Sequence, residues 1–241
     1  MKYRYLEKKE NYEFLSSGRV LYSLPGQSAF PIRLASEILQ RCFAILENNG
    51  NKGPYTLYDP CCGGGYLLTT LGFLHLPRLK KIYASDIDPQ AIILAKKNLS
   101  LLNPSGLQQR MAQLKSLAET YQKSSHLEAL EDAKKLSGLL LKKIEIDCFE
   151  ADITAKNAIE NFPIDIDIIL TDLPYGKLVS WQTLEAVPIL TFFENTSKIL
   201  KPCQSVLVVI ADKQQKISSP ILSRVDTFQV GRRQIKIFQK I

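Results

Sequence analysis

Histidine is scarce in this sequence, and its cysteines are few and unevenly placed. The two histidines, His75 and His126, have no ligand partner at the spacing of a zinc site. The five cysteines are an odd number and include the adjacent pair Cys61 and Cys62, which argues against a disulfide framework and favours a reducing cytoplasm. We therefore expect no metal centre, and we interpret Cys61 and Cys62 as small packing residues.

Long apolar runs are also lacking. None approaches the roughly 18 residues of a membrane-spanning helix, and the charged start "MKYRYLEKKENYEF" has no apolar stretch typical of a secretory signal. Internal repeats and low-complexity tracts are absent as well. With 45% hydrophobic residues, the composition is that of a globular protein, and the length fits a single domain over residues 1–241. We expect a cytoplasmic monomer without a membrane partner.

Negative charge is concentrated in one segment of a chain whose net charge is +7. Residues 144–211 carry ten Asp or Glu against four Lys or Arg, whereas residues 212–241 carry seven Lys or Arg against two Asp. An acidic centre framed by basic surface is typical of an enzyme that acts on a polyanion. A well-solvated basic surface explains the same counts equally well.

Strand and helix patterns alternate along most of the chain. Helical stretches separate five apolar segments that predict strands: "YTLYD", "KIYASD", "IDCFEAD", "DIDIILTD" and "SVLVVIAD". This alternation predicts an α/β fold with a parallel sheet covered on both faces. The final "VDTFQVGRRQIKIFQKI" predicts an antiparallel hairpin at the sheet edge. Residues 1–30 predict an arm with a short helix and a loop, residues 104–143 a two-helix insertion, and residues 182–201 a further helix.

A glycine-rich loop follows the first predicted strand, in "LYDPCCGGGYLL". Glycine permits positive φ angles and close approach of a ligand, and a strand, loop and helix in this order often bind a nucleotide-like cofactor. The loop lacks the Lys-Ser/Thr ending of a P-loop and is not a complete GxGxxG motif. Taken alone, it is equally well a structural turn.

Four aspartates strengthen this signal because each ends a predicted strand: Asp59, Asp86, Asp152 and Asp172. One such Asp is usually a helix cap, but the carboxyl ends of parallel strands meet at one edge, where these folds bind ligands. A row of carboxylates would repel the pyrophosphate of a dinucleotide and attract the sulfonium and ammonium groups of S-adenosylmethionine. The row therefore favours a methyl donor over a nicotinamide cofactor.

The last of these aspartates, Asp172, is the second residue of the motif "TDLPYG". An exocyclic amine on a base is a poor nucleophile, and the Asp172 carboxylate and Leu173 carbonyl could each accept one of its N–H groups and direct its lone pair. Pro174 would fix the backbone, and Tyr175 would offer a flat face to an extruded base. Catalysis would then rest on positioning and electrostatics. The alternative is a helix cap with a rigid turn and a packed Tyr.

The segments "GRVLYSLPGQSAFPIRLASEI", "DPCCGGGYLLT", "ASDIDPQAIILAKKN", "FEAD" and "TDLPYG" resemble the class I S-adenosylmethionine-dependent methyltransferases. The resemblance is closest to the AviRa-like (avilamycin resistance) ribosomal RNA guanine methyltransferases. It implies a Rossmann-like fold with a mostly parallel seven-stranded sheet. It also implies methylation of an exocyclic amine in RNA, specifically N2 of a guanine in large-subunit (23S) ribosomal RNA. The partner would be that RNA or a ribosomal particle, and the role antibiotic resistance or housekeeping modification.

The resemblance also implies roles for individual residues. The methionine part of the cofactor would lie on the loop made by Asp59, Pro60, Cys61, Cys62, Gly63, Gly64 and Gly65. Asp86 would bind the ribose and Asp152 the adenine, with Ile87 beside them. Arg33 would reach the cofactor carboxylate or the substrate backbone, although an ordinary surface Arg is equally plausible. The target amine would be held by Asp172, Leu173, Pro174 and Tyr175.

The motif departs from its relatives at Leu173, where a second Pro is common, but the backbone acceptor survives this change. A leading Asp favours a nucleic-acid amine, whereas the related motif with Asn also serves protein glutamine and DNA adenine. Four alternatives remain: a protein glutamine methyltransferase, a methyltransferase of another nucleic acid, a non-catalytic RNA-binding module and a nicotinamide dehydrogenase.

Six basic residues outside the site could contact RNA phosphates: Lys134, Lys135, Lys142, Lys143, Arg232 and Arg233.

Overall fold

A seven-stranded sheet forms the centre of the protein in this computed structural model, which describes residues 3–7, 11–23, 29–156, 158–159, 162, 166–173 and 188–240. The strands are β1 (Tyr55–Asp59), β2 (Leu79–Asp86), β3 (Glu145–Glu150), β4 (Ile168–Asp172), β5 (Val206–Asp212), β6 (Ser223–Val230) and β7 (Arg233–Gln239). Their order across the sheet is β3-β2-β1-β4-β5-β7-β6.

The first five strands are parallel, and β7 pairs antiparallel with both β5 and β6. Helical connections between β1 and β2 and between β2 and β3 impose this arrangement, because a parallel neighbour requires a crossover. The described helices are α1 (Ile32–Asn48), α2 (Tyr66–His75), α3 (Pro89–Ser100), α4 (Pro104–Tyr121), α5 (Ser124–Ser137) and α6 (Pro188–Ile199). The predicted parallel sheet, terminal hairpin and two-helix insertion are therefore confirmed.

Both faces of the sheet are buried, each by its own hydrophobic core. Successive strand residues point to opposite sides, so a central strand contributes side chains to both cores. In β4, Ile168 and Leu170 belong to the core on the face of α1 to α5, whereas Ile169 belongs to the core that contains Phe192 and Phe193 of α6. This two-sided burial explains why the central strands are continuous apolar runs. Among the described residues, no helix is long and apolar enough to cross a membrane.

The N-terminal arm differs from the expected short helix. In the described part of residues 1–30, the only helical element is a 3-10 turn at Glu13–Leu15. The buried carboxylate of Glu37 accepts the backbone N–H groups of Arg4, Tyr5 and Leu6 at 2.9, 2.9 and 3.3 Å. These donors are satisfied by a side chain of α1, so this part of the arm does not need helical hydrogen bonds.

Candidate active site

The predicted row of acids lies at the carboxyl edge of the sheet. Asp59, Asp86 and Asp172 are the last residues of β1, β2 and β4, and these strands are neighbours in the order β2-β1-β4. Asp152 lies two residues beyond β3, which ends at Glu150 rather than at Asp152 as the sequence suggested. Adjacent strands are about 4.8 Å apart, so the topology brings all four aspartates to one edge.

The glycine-rich loop is tied to the neighbouring strand. The N–H of Cys62 donates to the carbonyl of Ser85 at 2.9 Å, and the N–H of Gly63 donates to the Asp86 carboxylate at 2.8 Å. Asp86 therefore orients the loop as well as ending β2. The carboxylate accepts a second N–H, from Asp88, at 3.0 Å, and this fixes its position at the edge.

Two glycines of the loop have different physical reasons to be glycine. Gly65 has φ +72°, and an added Cβ would lie 3.0 Å from the Cα of Ala95, so α3 packs directly against its backbone. Gly63 has φ +51°, and an added Cβ would meet nothing within 4 Å. The backbone at Gly63 therefore faces open space, as a loop that a ligand approaches closely would require.

Burial makes two carboxyls of the acid row, Asp59 and Asp86, resist ionisation. The pKa of Asp59 rises from 3.8 to about 7 because the carboxyl is buried, and Asp86 and Asp172 add like charge nearby. Burial also raises the pKa of Asp86, against the opposing effect of the N–H groups of Asp88 and Gly63. A cation placed on this edge would favour the ionised carboxyls. The site therefore fits a cofactor that carries positive charge, as the sulfonium of S-adenosylmethionine does.

The surroundings of the adjacent cysteines, Cys61 and Cys62, favour the neutral thiol form. The N–H of Cys61 donates to the Asp59 carboxylate at 3.0 Å, and burial raises the pKa of the Cys61 thiol. A hydrogen bond with the Cys148 thiol, together with burial, raises the pKa of Cys62. Both thiols are thus disfavoured as thiolate nucleophiles. In the part of the chain that the structure describes, no three His, Cys, Asp or Glu side chains are grouped to hold a metal ion.

The candidate catalytic residues, Asp172 to Tyr175, are described only as far as Leu173. The N–H of Leu173 donates to the Ile210 carbonyl of β5 at 2.9 Å, and the Leu173 side chain is buried in the core on the α6 face. This anchors the backbone just after Asp172. Pro174 and Tyr175 lie outside the described residues, so their predicted roles remain predictions.

The remaining predicted residues have varied surroundings. The Asp152 carboxylate accepts the N–H and hydroxyl of Thr154 at 2.8 and 2.6 Å, and the Ile87 side chain is exposed beside Asp86. The Arg33 guanidinium donates to the carbonyls of Leu6 and Glu7. The described contacts of Arg33 are thus with the N-terminal arm, and a role toward the cofactor stays a prediction.

Asn98 is a site residue that the sequence reasoning missed. Its amide donates to the carbonyls of Tyr22 at 3.0 Å and Gly64 at 2.8 Å, and its oxygen accepts the Tyr22 N–H at 2.8 Å. The residue is buried in α3 and joins the arm to the glycine-rich loop. Its signal was available, because a polar residue stands one helical turn after Leu94 and Ala95 on the apolar face of the helix.

Comparisons with known proteins agree with this architecture. The family described as "rRNA methyltransferase AviRa" matches residues 1–233. A protein of Streptomyces viridochromogenes named "23S rRNA (guanine(2535)-N(1))-methyltransferase" is 38% identical over 240 residues, which cover 96% of this chain and 93% of that protein.

Two solved structures of the rRNA methyltransferase AviRa from Streptomyces viridochromogenes also match. One has a TM-score of 0.87 and 34% identity, and the other a TM-score of 0.86 and 35% identity. Each comparison covers 99% of this chain and 96% of the solved chain. The fold, the motifs at the carboxyl edge and these matches lead to one assignment: the chain belongs to the AviRa family of rRNA methyltransferases.

Proposed function

We propose that the protein transfers a methyl group from S-adenosylmethionine to N1 of a guanine in large-subunit (23S) ribosomal RNA. The observation that carries the proposal is the row of strand-end carboxylates beside the glycine-rich loop, in a chain of the AviRa family. The N2 position expected from the sequence is not confirmed, because the similar Streptomyces viridochromogenes protein is named for N1.

The cofactor would lie along the carboxyl edge of β1 to β3. The open backbone at Gly63 would admit its methionine part, Asp86 would accept the ribose hydroxyls, and Asp152 would accept the adenine amine. Bound there, S-adenosylmethionine supplies an electrophilic methyl group on a sulfonium. The carboxyl of Asp59, whose pKa is raised to about 7, would ionise more readily beside that cation.

Methylation at N1 places a specific demand on Asp172. Guanine N1 carries a proton, and its electron pair becomes available for bonding only when that proton leaves. Asp172, at the end of β4 next to β1, would accept the N1 proton as the new nitrogen–carbon bond forms and the sulfur–carbon bond breaks. The proton then passes to solvent, and the carboxylate is restored. An exocyclic amine at N2 needs only orientation, so the two targets make different demands on this residue.

The substitution Asp172→Asn separates these possibilities, because Asn keeps the size and one acceptor oxygen but cannot take a proton. For N1 we expect the rate of methyl transfer to fall about 100-fold or more, and the residual rate to rise with pH as solvent removes the proton. Cofactor affinity, measured by calorimetry, should change little. Asp147→Asn, at an exposed carboxylate inside β3 that pairs with Lys81, is the matched control and should retain the wild-type rate.

Near-normal transfer by Asp172→Asn would show that the carboxylate is not the proton acceptor. Methyl transfer to a protein glutamine in a nuclease-treated extract would instead identify a different acceptor. RNA binding without cofactor affinity would indicate a module that has lost turnover.

A further inference from the structure

The six basic residues that the sequence singled out as RNA contacts lie in different parts of the fold. Lys142 and Lys143 are exposed and come just before β3, at the amino edge of the sheet. Lys134 and Lys135 are in the last turn of α5 and form ion pairs with Glu131 and Asp132. These four lysines are therefore remote from the carboxyl edge or already paired.

Arg232 and Arg233 lie at the edge that carries the acid row. Arg233 begins β7 and is the register partner of Asp212, the last residue of β5. The N–H of Lys213 donates to the carbonyl of Arg232 at 2.8 Å, which brings a third cation to the same place. The hairpin is thus the element that delivers positive charge to the active-site edge.

The distance from this cluster to Asp172 follows from the register. Asp172 pairs with Ile210, two residues before Asp212, and β5 lies between β4 and β7. Two strand spacings across and two residues along give about 12 Å between the Cα atoms of Asp172 and Arg233. One strand of duplex DNA places a phosphate about every 3.4 Å of its axis. At a comparable spacing, an RNA strand bound at both points would need only a few nucleotides between them.

The side chains of the cluster are suited to an anion. Arg232 is 83% exposed, with its closest described carboxylate, Asp212, at 3.8 Å, and Lys213 is exposed. The Arg233 guanidinium stacks 5.2 Å from the centre of the Phe30 ring, and its buried Nε has no hydrogen-bond partner within the described ranges. Stacking holds the guanidinium plane of Arg233 at this edge, beside Lys213 and Arg232, whose exposed cationic groups a phosphate can reach.

A groove at the amino edge is the rival basic surface, and it is less suited. It is lined by Lys52, Lys80 and Lys201 around the buried Asp167. The Asp167 carboxylate lies 3.5 Å from the Lys80 ammonium and 3.4 Å from the Lys201 ammonium, so part of this charge is neutralised. The groove also lies at the opposite end of the strands from Asp172.

We infer that Lys213, Arg232 and Arg233 form a phosphate-binding site for the RNA strand that carries the target guanine. This inference rests on the proposed function. The site binds the backbone of the strand while the acid row binds the cofactor, which explains why strong positive charge stands beside an acidic centre.

The test compares the double variant Lys213→Gln/Arg232→Gln with the control Lys142→Gln/Lys143→Gln, which removes the same charge at the amino edge. Arg233 is left unchanged because it packs on Phe30. The dissociation constant for 23S rRNA is measured over a range of salt concentrations, and cofactor affinity is measured separately. We expect Lys213→Gln/Arg232→Gln, called the hairpin variant below, to bind RNA about 10-fold more weakly. The slope of log affinity against log salt concentration should be smaller in magnitude by about two, since each lost phosphate contact reduces it by nearly one.

Cofactor affinity should be unchanged in the hairpin variant. The charge-keeping variant Lys213→Arg/Arg232→Lys should bind RNA as the wild type does. Equal RNA affinity in the hairpin and control variants, whether both normal or both weakened, would overturn the inference. A wild-type protein that binds RNA through the hairpin but methylates none would instead contradict the proposed function.

Discussion

At the scale of single residues, the ionisation of Asp59 makes the free energy of unfolding depend on pH. Its pKa is about 7 in the folded protein against an ordinary 3.8, so the folded state binds this proton more tightly than the unfolded state. The stability that protonated Asp59 contributes is fully present below about pH 4 and is lost as the pH rises through about 7. We predict that Asp59→Asn weakens the fall in unfolding free energy between pH 5 and pH 8, measured by urea unfolding. The same pH dependence in the wild type and in Asp59→Asn would show that Asp59 is not its cause.

Gly63 gives a second prediction at this scale, and Gly50 is the matched control position. Both glycines have positive φ, +51° and +89°, and an added Cβ would meet nothing within 4 Å at either. Alanine at either position should therefore lower the unfolding free energy by a similar amount, about 1–2 kcal/mol. Gly63→Ala alone should weaken cofactor binding, by about 10-fold or more, because its methyl group enters the space where the ligand approaches. Equal cofactor affinity in the two variants, measured by calorimetry, would refute this.

At the scale of elements, α3 joins the N-terminal arm to the glycine-rich loop through Asn98. Asn98→Ala would leave the Tyr22 backbone groups and the Gly64 carbonyl without their side-chain partner. We expect a loss of about 2–4 kcal/mol in unfolding free energy, together with weaker cofactor binding. Asn103→Ala is the control, because Asn103 makes no capping hydrogen bond at the start of α4. If the two variants behave alike, the arm does not support the loop.

The elements also show what local sequence determines. The strands around "YTLYD" and "SVLVVIAD" were predictable because a strand buried on both faces must be apolar throughout. The arm was not, since its N–H groups bind the Glu37 carboxylate, a long-range contact without a local pattern. The helix expected over residues 182–201 is described only from Pro188.

At the scale of the whole molecule, the order of the strands decides which predicted residues act together. The sequence gives no means of ranking Arg232 above Lys142, because both are basic residues near strand ends. The order β3-β2-β1-β4-β5-β7-β6 separates them, placing the hairpin turn at the carboxyl edge and Lys142 at the amino edge. The raised pKa of Asp59 likewise depends on burial by the assembled fold.

The atom that receives the methyl group is a property of the whole complex as well. The motif "TDLPYG" suits either an oriented amine or a ring nitrogen that must lose a proton, so the residues alone do not choose between N2 and N1. In the proposed function, the choice would depend on how the RNA strand presents the guanine to Asp172.

The most direct measurement is methyl transfer to unmodified 23S ribosomal RNA from S-adenosylmethionine with a labelled methyl group, followed by digestion to nucleosides and chromatography. We expect one labelled product, 1-methylguanosine, at no more than one methyl group per RNA molecule. Label in N2-methylguanosine or in another nucleoside, or no label in RNA despite cofactor binding, would contradict it.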